Sequence, residues 1–428
     1  MSQKGNTFRR GIHPPDKKEL TKDLPVCVMP ETSDYYVSMS AHIGAPATCI
    51  VAVGDVVKEG QLIAENKARL GSNVFSPVAG VVVGIEKRKT ANGGKAETIH
   101  IKAEGEGKVT LPPIGEITKD SILRRIEEAG IVGLGGAGFP AHFKDKPRTP
   151  CDALLINGAE CEPYLTCDDR LMVEYADKVA KDIKYLETAV GATKVVVGIE
   201  DNKPEAIEKM RAQGLDVVVL PKKYPQGAEK MLVYACLNRV VPAGGLPSDV
   251  GVVVHNVATA YAVYDAVENG EPLYKRIVTV SGKGVERPCN MWVKNGTLHE
   301  DILKYCGIKD ETVALISGGP MMGHALEGMT ASTTKAESGI LALTDDEVDI
   351  FEPTHCIFCG SCARACPMSL MPMYIDFYAH ARKTDEAIKY GALNCMECGS
   401  CAYVCPAERP IVQSVRLVKM KAREENKK

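Results

Sequence analysis

The sequence predicts a multidomain α/β and α+β protein, and three observations carry that expectation. Its 428 residues suffice for about three domains at ~150 residues each. Short β-like runs punctuated by Gly and Pro fill the stretch Val26 to Ala103, whereas Asp120–Ala129 and Met368–Asn394 show helical spacing. Eight of the 16 cysteines crowd between Cys356 and Cys405, a concentration that scattered core cysteines do not produce.

Composition narrows the class further. Hydrophobic residues are 45% and charged ones 25%, which places the chain among ordinary globular proteins and not disordered ones. Lys plus Arg is 52 against 55 for Asp plus Glu, so the net charge of −3 gives no electrostatic reason to bind nucleic acid. The longest apolar stretch, Val250 to Tyr264, is broken by His255, Asn256 and Thr259, too short for a membrane span, and Met1 to Pro15 lacks the apolar core of a secretory signal. A cytoplasmic location is expected, and with it metal ligation or redox chemistry for the cysteine block instead of disulfides.

The block reads Cys356-x2-Cys359-x2-Cys362-x3-Cys366-Pro367, then Cys395-x2-Cys398-x2-Cys401-x3-Cys405-Pro406. This doubled spacing is that of two-cluster bacterial ferredoxins, in which the fourth cysteine of each run ligates the other cluster. One 4Fe-4S cluster is therefore expected on Cys356, Cys359, Cys362 and Cys405, and a second on Cys395, Cys398, Cys401 and Cys366. A pair of structural zinc sites would need four ligands each and would leave the third cysteine step and the prolines unexplained. Gly360, Ser361, Gly399 and Ser400 let backbone N–H groups approach cluster sulfurs.

One-electron centres need a partner that handles two electrons. The richest glycine segment is Gly130 to Pro140, which follows a helix and so lacks the strand context of a dinucleotide fingerprint. Gly133-Leu-Gly-Gly-Ala-Gly-Phe-Pro-Ala-His-Phe-Lys144 resembles the FMN loop of the 51-kDa NADH-binding subunit of respiratory complex I. In the same order, Asn157-Gly-Ala-Glu-Cys-Glu-Pro163 resembles that family's Asn-x-Asp-Glu-Ser-Glu-Pro, Tyr224-Pro-Gln-Gly-Ala-Glu229 its Tyr-x-x-Gly-Glu-Glu, and Val254-His-Asn-Val-Ala-Thr259 its Val-Asn-Asn-Val-Glu-Thr. The resemblance implies FMN contacts from Gly133, Gly135, Gly136, Gly138, Lys144, Asn157, Glu160, His255, Asn256 and Thr259, and NAD(H) contacts from Phe139, Glu162, Tyr224 and Glu229. The chain departs from the family at Ala159, Cys161, Ala228, His255 and Ala258. No side chain is expected to act as acid or base, since hydride passes directly from nicotinamide to flavin.

The flanks resemble known modules. Val26 to Ala103 is similar to the barrel-sandwich hybrid of lipoyl and biotinyl carriers, but Lys67 lies too far before Pro77 for a carrier lysine, so an unmodified docking domain is expected. Arg276 to Gly323 resembles the soluble-ligand-binding β-grasp domain. The expected divisions are an N-terminal arm (1–25), barrel-sandwich hybrid (26–110), FMN/NADH-binding α/β domain (111–270), β-grasp domain (271–326), linker (327–350), helical two-cluster ferredoxin domain (351–412) and a basic C-terminal helix (413–428). The six basic residues from Arg416 to Lys428 are expected on a solvated helix end. Cys27, Cys49, Cys151, Cys167, Cys236, Cys289 and Cys306 lack ligand spacing, and Cys161 falls beside the flavin by resemblance.

In this order of modules, nearly the whole chain resembles the C subunits of Rnf complexes. That resemblance implies a peripheral subunit, on the cytoplasmic side of the membrane, of a ferredoxin:NAD+ oxidoreductase that translocates Na+ or H+. Its implied partners are integral-membrane subunits and a ferredoxin-accepting subunit. Two alternatives stand beside it: a soluble NADH-dependent cobalamin reductase of the propanediol-utilisation type, whose barrel-sandwich lies toward the C-terminus, and a non-catalytic electron-transfer scaffold.

Overall fold

The computed structural model describes residues 6–147, 149–349 and 352–425. Lys427 and Lys428 of the basic tail and the expected domain boundary at 350–351 lie outside them. Among the described residues no helix is long and apolar enough to cross a membrane.

At the centre is a four-stranded parallel sheet in the order Val217–Leu220, Lys194–Glu200, Ala153–Gly158, Val252–Asn256. Its strands read ALLING, KVVVGIE, VVVL and VVVHN, the near-continuous apolar runs of strands covered on both faces. Helices Ala176–Val190 and Val257–Glu268 pack on one face through Val179, Ile183, Leu186, Ala260 and Val263, and Glu229–Leu237 covers the other through Leu232 and Val233. Ala153–Gly158 has its two successors on one side and Val252–Asn256 on the other. The chain order therefore reverses between those two strands, and in open parallel sheets the crevice at their carboxyl ends is where ligands bind.

Before this domain come two small antiparallel sheets, one of Asp34–Ser38, Lys95–Ala103, Gly80–Lys89 and Val56–Val57, the other of Thr48–Cys49, Leu62–Glu65 and Val74–Phe75. They enclose a core of Tyr35, Val37, Ile63, Val82, Ile99 and Ile101, the expected barrel-sandwich. After it comes a six-stranded mixed sheet with helix His299–Cys306 against it.

That last sheet corrects two expected boundaries. The stretch expected as a linker contains Gly339–Thr344, a strand between Lys275–Ser281 and Thr312–Ser317 whose Ile340, Leu341 and Ala342 are fully buried. The Thr- and Ser-rich residues before it hide a short apolar run that has too few residues to announce itself by period. Likewise Cys27–Val28, expected in the barrel-sandwich, forms the parallel edge strand beside Cys289–Lys294.

The cysteine-rich domain is helical between its two runs, with Pro372–His380 and Thr384–Lys389, and closes with Ile411–Glu425. The last helix corrects the picture of a solvated basic end. Arg416 and Lys419 both bond Glu397, at 2.9 and 2.7 Å, and Lys419 also donates to the Cys395 carbonyl at 2.6 Å.

Buried polar bolts join the modules. Lys335, fully buried, donates to Ser72 Oγ and Asn73 O of the barrel-sandwich and to Gly130 O ahead of the glycine loop, at 3.0, 2.5 and 2.7 Å. The arm crosses the central domain, where Ile12 exchanges both backbone hydrogen bonds with Tyr224, then reaches the cysteine domain through Gly11 N–H to Ala365 O and Arg10 to Ala363 O. Lys18 donates to the carbonyls of Glu160 and Glu162 at 3.0 Å.

Replacing Lys335 by Met keeps the length and takes the ammonium donor from Asn73 O, whereas Gly130 O still accepts from Ser72 Oγ at 2.8 Å. The substitution is expected to lower unfolding free energy by roughly 1–3 kcal/mol in chemical denaturation, the cost of a buried acceptor left unpaired.

Candidate flavin cleft and cysteine centres

The glycine loop begins where helix Lys119–Glu128 ends and is closed by Gly133 N–H donating to Phe139 O at 2.8 Å. Gly138 sits at φ +69°, a left-handed conformation that a side chain would strain. Gly135, Gly136 and Ala137 are exposed. A Cβ on Gly135 would stand 2.8 Å from Asn256, whereas one on Gly136 would meet no atom of the chain within 4 Å. The loop thus lies flat on Asn256 and opens its Gly136 backbone to the crevice, a cradle that a flavin fits.

Several residues expected at the flavin hold this cradle from behind. Thr259 is buried and its Oγ1 accepts from Leu134 N–H at 2.9 Å. The His255 ring, also buried, bonds Asp145 at 2.5 Å, pinning the turn that follows Lys144. Strand alternation sends His255 and Asn256 to opposite sides. Asn256 caps helix Val257–Glu268 by accepting from Ala258 N–H at 2.8 Å and donates to Asp168 at 2.6 Å, which leaves its second amide hydrogen for the cleft. Burial and the neighbouring Glu160 push the Asp168 carboxyl up to about 7. Asn157 ties its strand to the next loop by donating to Gly227 O at 2.9 Å. Glu160 turns inward and accepts from Asp168 N–H at 2.7 Å and Asp169 N–H at 3.3 Å, capping helix Cys167–Glu174.

Of the residues expected at the nucleotide, Phe139 and Glu229 border the open side. Glu229 begins its helix and pairs with Lys144, so a cation beside the glycine loop is held by a carboxylate that a phosphate would displace. Phe139 packs edge-on against Phe143 at 5.7 Å, and Arg69 of the barrel-sandwich lies over the Phe143 ring at 5.5 Å. Ile43 N–H donates to Gly138 O at 3.1 Å, so the barrel-sandwich forms a wall of the cleft, which sequence reasoning did not foresee.

Tyr224 and Glu162 are placed differently from expectation. Tyr224 is 1% exposed, and its hydroxyl donates to the Cys398 carbonyl in the cysteine domain at 2.6 Å. Glu162 lies 3.5 Å from that hydroxyl and accepts from Met321 N–H at 3.0 Å. Tyr224 is spent at the joint between modules, and the half-buried Glu162 joins it there. Cys161, beside them, accepts from Gly227 N–H at 3.3 Å, and burial pushes its thiol far up, which marks it as inert.

The eight clustered cysteines surround two cavities, four lining each. Cys356, Cys359, Cys362 and Cys405 line the first; Cys366, Cys395, Cys398 and Cys401 line the second. Both loops adopt one backbone twice over. Phe358 and Glu397 have φ of +52° and +60°, Gly360 and Gly399 of +75° and +78°, and each glycine opens a short helix carrying the third cysteine. Backbone N–H groups approach the sulfurs, Leu370 to Cys366 at 3.4 Å and Glu397 to Cys395 at 3.3 Å. Four thiols around each cavity, with N–H donors behind them, are a donor set that fits a 4Fe-4S cubane.

Comparison with known proteins matches three parts of the chain to family models. Residues 6–106 match the RnfC barrel sandwich hybrid domain, 126–265 the Nuo51 FMN-binding domain, and 355–408 the 4Fe-4S dicluster domain. The chain is 44% identical to the C subunit of the proton-translocating ferredoxin:NAD+ oxidoreductase complex of Clostridium ljungdahlii, over 97% of this chain and 94% of that one. It is 41% identical to the Na+-translocating counterpart of Acetobacterium woodii, over 98% of each. With the C subunit of the ion-translocating oxidoreductase complex of Rhodobacter capsulatus it shares 44% identity over 98% of this chain and 83% of that one. A solved NAD+-reducing NiFe-hydrogenase in its H2-reduced state shares the fold over 72% of this chain and 65% of its own, with a TM-score of 0.52 and 19% identity. Fold and sites together define a modular electron-transfer protein that uses FMN and 4Fe-4S clusters. The chain belongs to the RnfC family, the C subunits of ion-translocating oxidoreductase complexes.

Two predictions arise from this geometry. Gly136→Ala meets no protein atom, so it is expected to leave thermal stability unchanged and weaken FMN binding at least tenfold, read by flavin fluorescence. Burial pushes the Glu162 carboxyl up to about 7 from its ordinary 4.5. A raised folded-state value means that the folded protein holds the proton more tightly. The resulting stabilisation is complete below about 4.5 and lost as pH rises through about 7. Glu162→Gln is expected to flatten the slope of melting temperature against pH between those values.

Proposed function

We propose that this chain is the NAD(H)-facing subunit of a membrane ferredoxin:NAD+ oxidoreductase complex that couples electron transfer to movement of Na+ or H+. Its expected place is on the cytoplasmic side, held to the membrane by integral subunits, with a ferredoxin-accepting subunit elsewhere in the assembly. The observation that carries the reading is the direct hydrogen bond from the flavin-cleft module to a cysteine loop, Tyr224 to Cys398 at 2.6 Å.

FMN, when bound, takes up hydride from NADH and gives electrons singly to the iron–sulfur clusters. The chain's own residues serve that exchange by position. Gly135 and Gly136 would offer backbone N–H groups to bound FMN, and Lys144, now paired with Glu229, would offset its phosphate charge. Asn256, fixed at its other polar atoms by Ala258 and Asp168, would offer its remaining amide hydrogen to the flavin. Phe139, Phe143 and the barrel-sandwich residue Arg69 form a wall that would hold NAD(H). The barrel-sandwich match at residues 6–106, ahead of the flavin module, argues against the cobalamin-reductase alternative.

The purified chain, loaded with FMN and reconstituted with iron and sulfide, is expected to carry about eight irons. It should oxidise NADH with ferricyanide as acceptor. Loss of both flavin binding and NADH-dependent bleaching of cluster absorbance would overturn the reading.

A further inference from the structure

Three cysteines that line neither the cleft nor the two cysteine-lined cavities come together on the six-stranded sheet. Cys27 lies on its edge strand, Cys289 opens the neighbouring strand Cys289–Lys294, and Cys306 ends helix His299–Cys306. Cys27 stands opposite Met291, two positions along from Cys289, so strand alternation puts both thiols on one face of the sheet. That face is the one Met291 buries against Ile302, Leu303 and Cys306 of the helix. The Cys289 and Cys306 sulfurs are 3.8 Å apart, and Cys27 is in hydrogen-bond contact with Cys289. Cys306 is fully buried, whereas Cys27 and Cys289 are half-buried.

The backbone decides which pair can close. Diagonal positions on neighbouring strands, ~4.8 Å across and ~6.6 Å along, hold their Cα atoms about 8 Å apart, beyond the roughly 4.4–6.8 Å that a disulfide spans. Cys27 and Cys289 are such a pair. Cys306 reaches Cys289 from the facing helix instead. Arg287 N–H donates to Cys306 O at 3.0 Å and Glu286 N–H to Gly307 O at 2.9 Å, which binds the helix end beside the entry to the strand. We propose that Cys289 and Cys306 are a redox-modifiable thiol pair, closed to a disulfide by exchange with a soluble disulfide, which staples the helix to the strand and leaves Cys27 outside the bond. Cys289, the more accessible of the two, attacks the soluble disulfide, forming a mixed disulfide and releasing one small thiol. Cys306 then attacks the Cys289 sulfur and releases the second. One S–S bond of the reagent breaks, one forms in the protein, and the two protein hydrogens leave on the two released thiols. The bond to Cys306, together with burial, holds the Cys289 thiol far above its ordinary range. A thiol kept protonated slows the first attack without moving the end point, so equilibrium and not rate is the measure.

The full chain, reconstituted with FMN, iron and sulfide, is equilibrated anaerobically with excess oxidised glutathione, denatured in iodoacetamide, digested and mapped by mass spectrometry. Most chains are expected to give a cross-linked peptide pair joining Cys289 to Cys306, two hydrogens lighter than the separate peptides and parted by dithiothreitol. Cys27→Ser is expected to keep the cross-link, and Cys289→Ser to lose it and leave Cys306 alkylated. The wild-type map needs no variant, so a variant that folds poorly leaves the test intact. A link from Cys27 to Cys289, glutathione stalled on Cys289 as a mixed disulfide, or alkylation of all three thiols would each overturn the proposal. Neither NADH nor an artificial acceptor enters the reaction, so its outcome is independent of the function proposed above.

Discussion

The Tyr224 hydroxyl bond to the Cys398 carbonyl is the buried polar tie between the flavin-cleft module and the cysteine module. Interfaces between domains of one chain are by default mobile, and a redox protein cannot tolerate that where its cofactors must stay close. The remedy here is polar as well as apolar. Tyr224 supplies one buried bolt, Glu162 on Met321 a second, and Lys335 on Ser72, Asn73 and Gly130 a third. Each is buried in low dielectric, where an unpaired partner is costly, so each admits a narrow set of relative orientations.

Behind the glycine loop the same logic operates on a smaller scale. His255, Thr259 and Glu160 are polar residues at a cofactor cleft, yet each is spent on protein: Asp145, Leu134 N–H, and the start of helix Cys167–Glu174. A loop that must offer bare backbone to a ligand cannot be stabilised by its own side chains. Its shape is set by the residues under it.

This explains what the sequence made legible. The cysteine spacing was informative because cluster geometry fixes residue intervals directly, and the apolar strands because burial on both faces leaves continuous runs. The motifs of the glycine loop marked the cleft but not the direction of each side chain. Tyr224 and Glu162 belong to motifs at the cleft, and only packing against Cys398 and Met321 shows that they meet at the joint between modules. The strand Gly339–Thr344 was missed because its partners lie on sequence-distant strands, and polar residues ahead of it suggested a linker. The placement of Arg69 above Phe143 had no local signal at all, since a contact between modules leaves no period in either.

The N-terminal arm carries a consequence for how the chain folds. Arg10 and Gly11 bond Ala363 and Ala365, residues some 350 positions later. Domains fold largely as units in order of synthesis, and contacts of such separation form last. The arm can therefore take its place only where both the central sheet and the cysteine loops are already formed. In this protein the arm is a clasp laid across the central sheet and the cysteine loops.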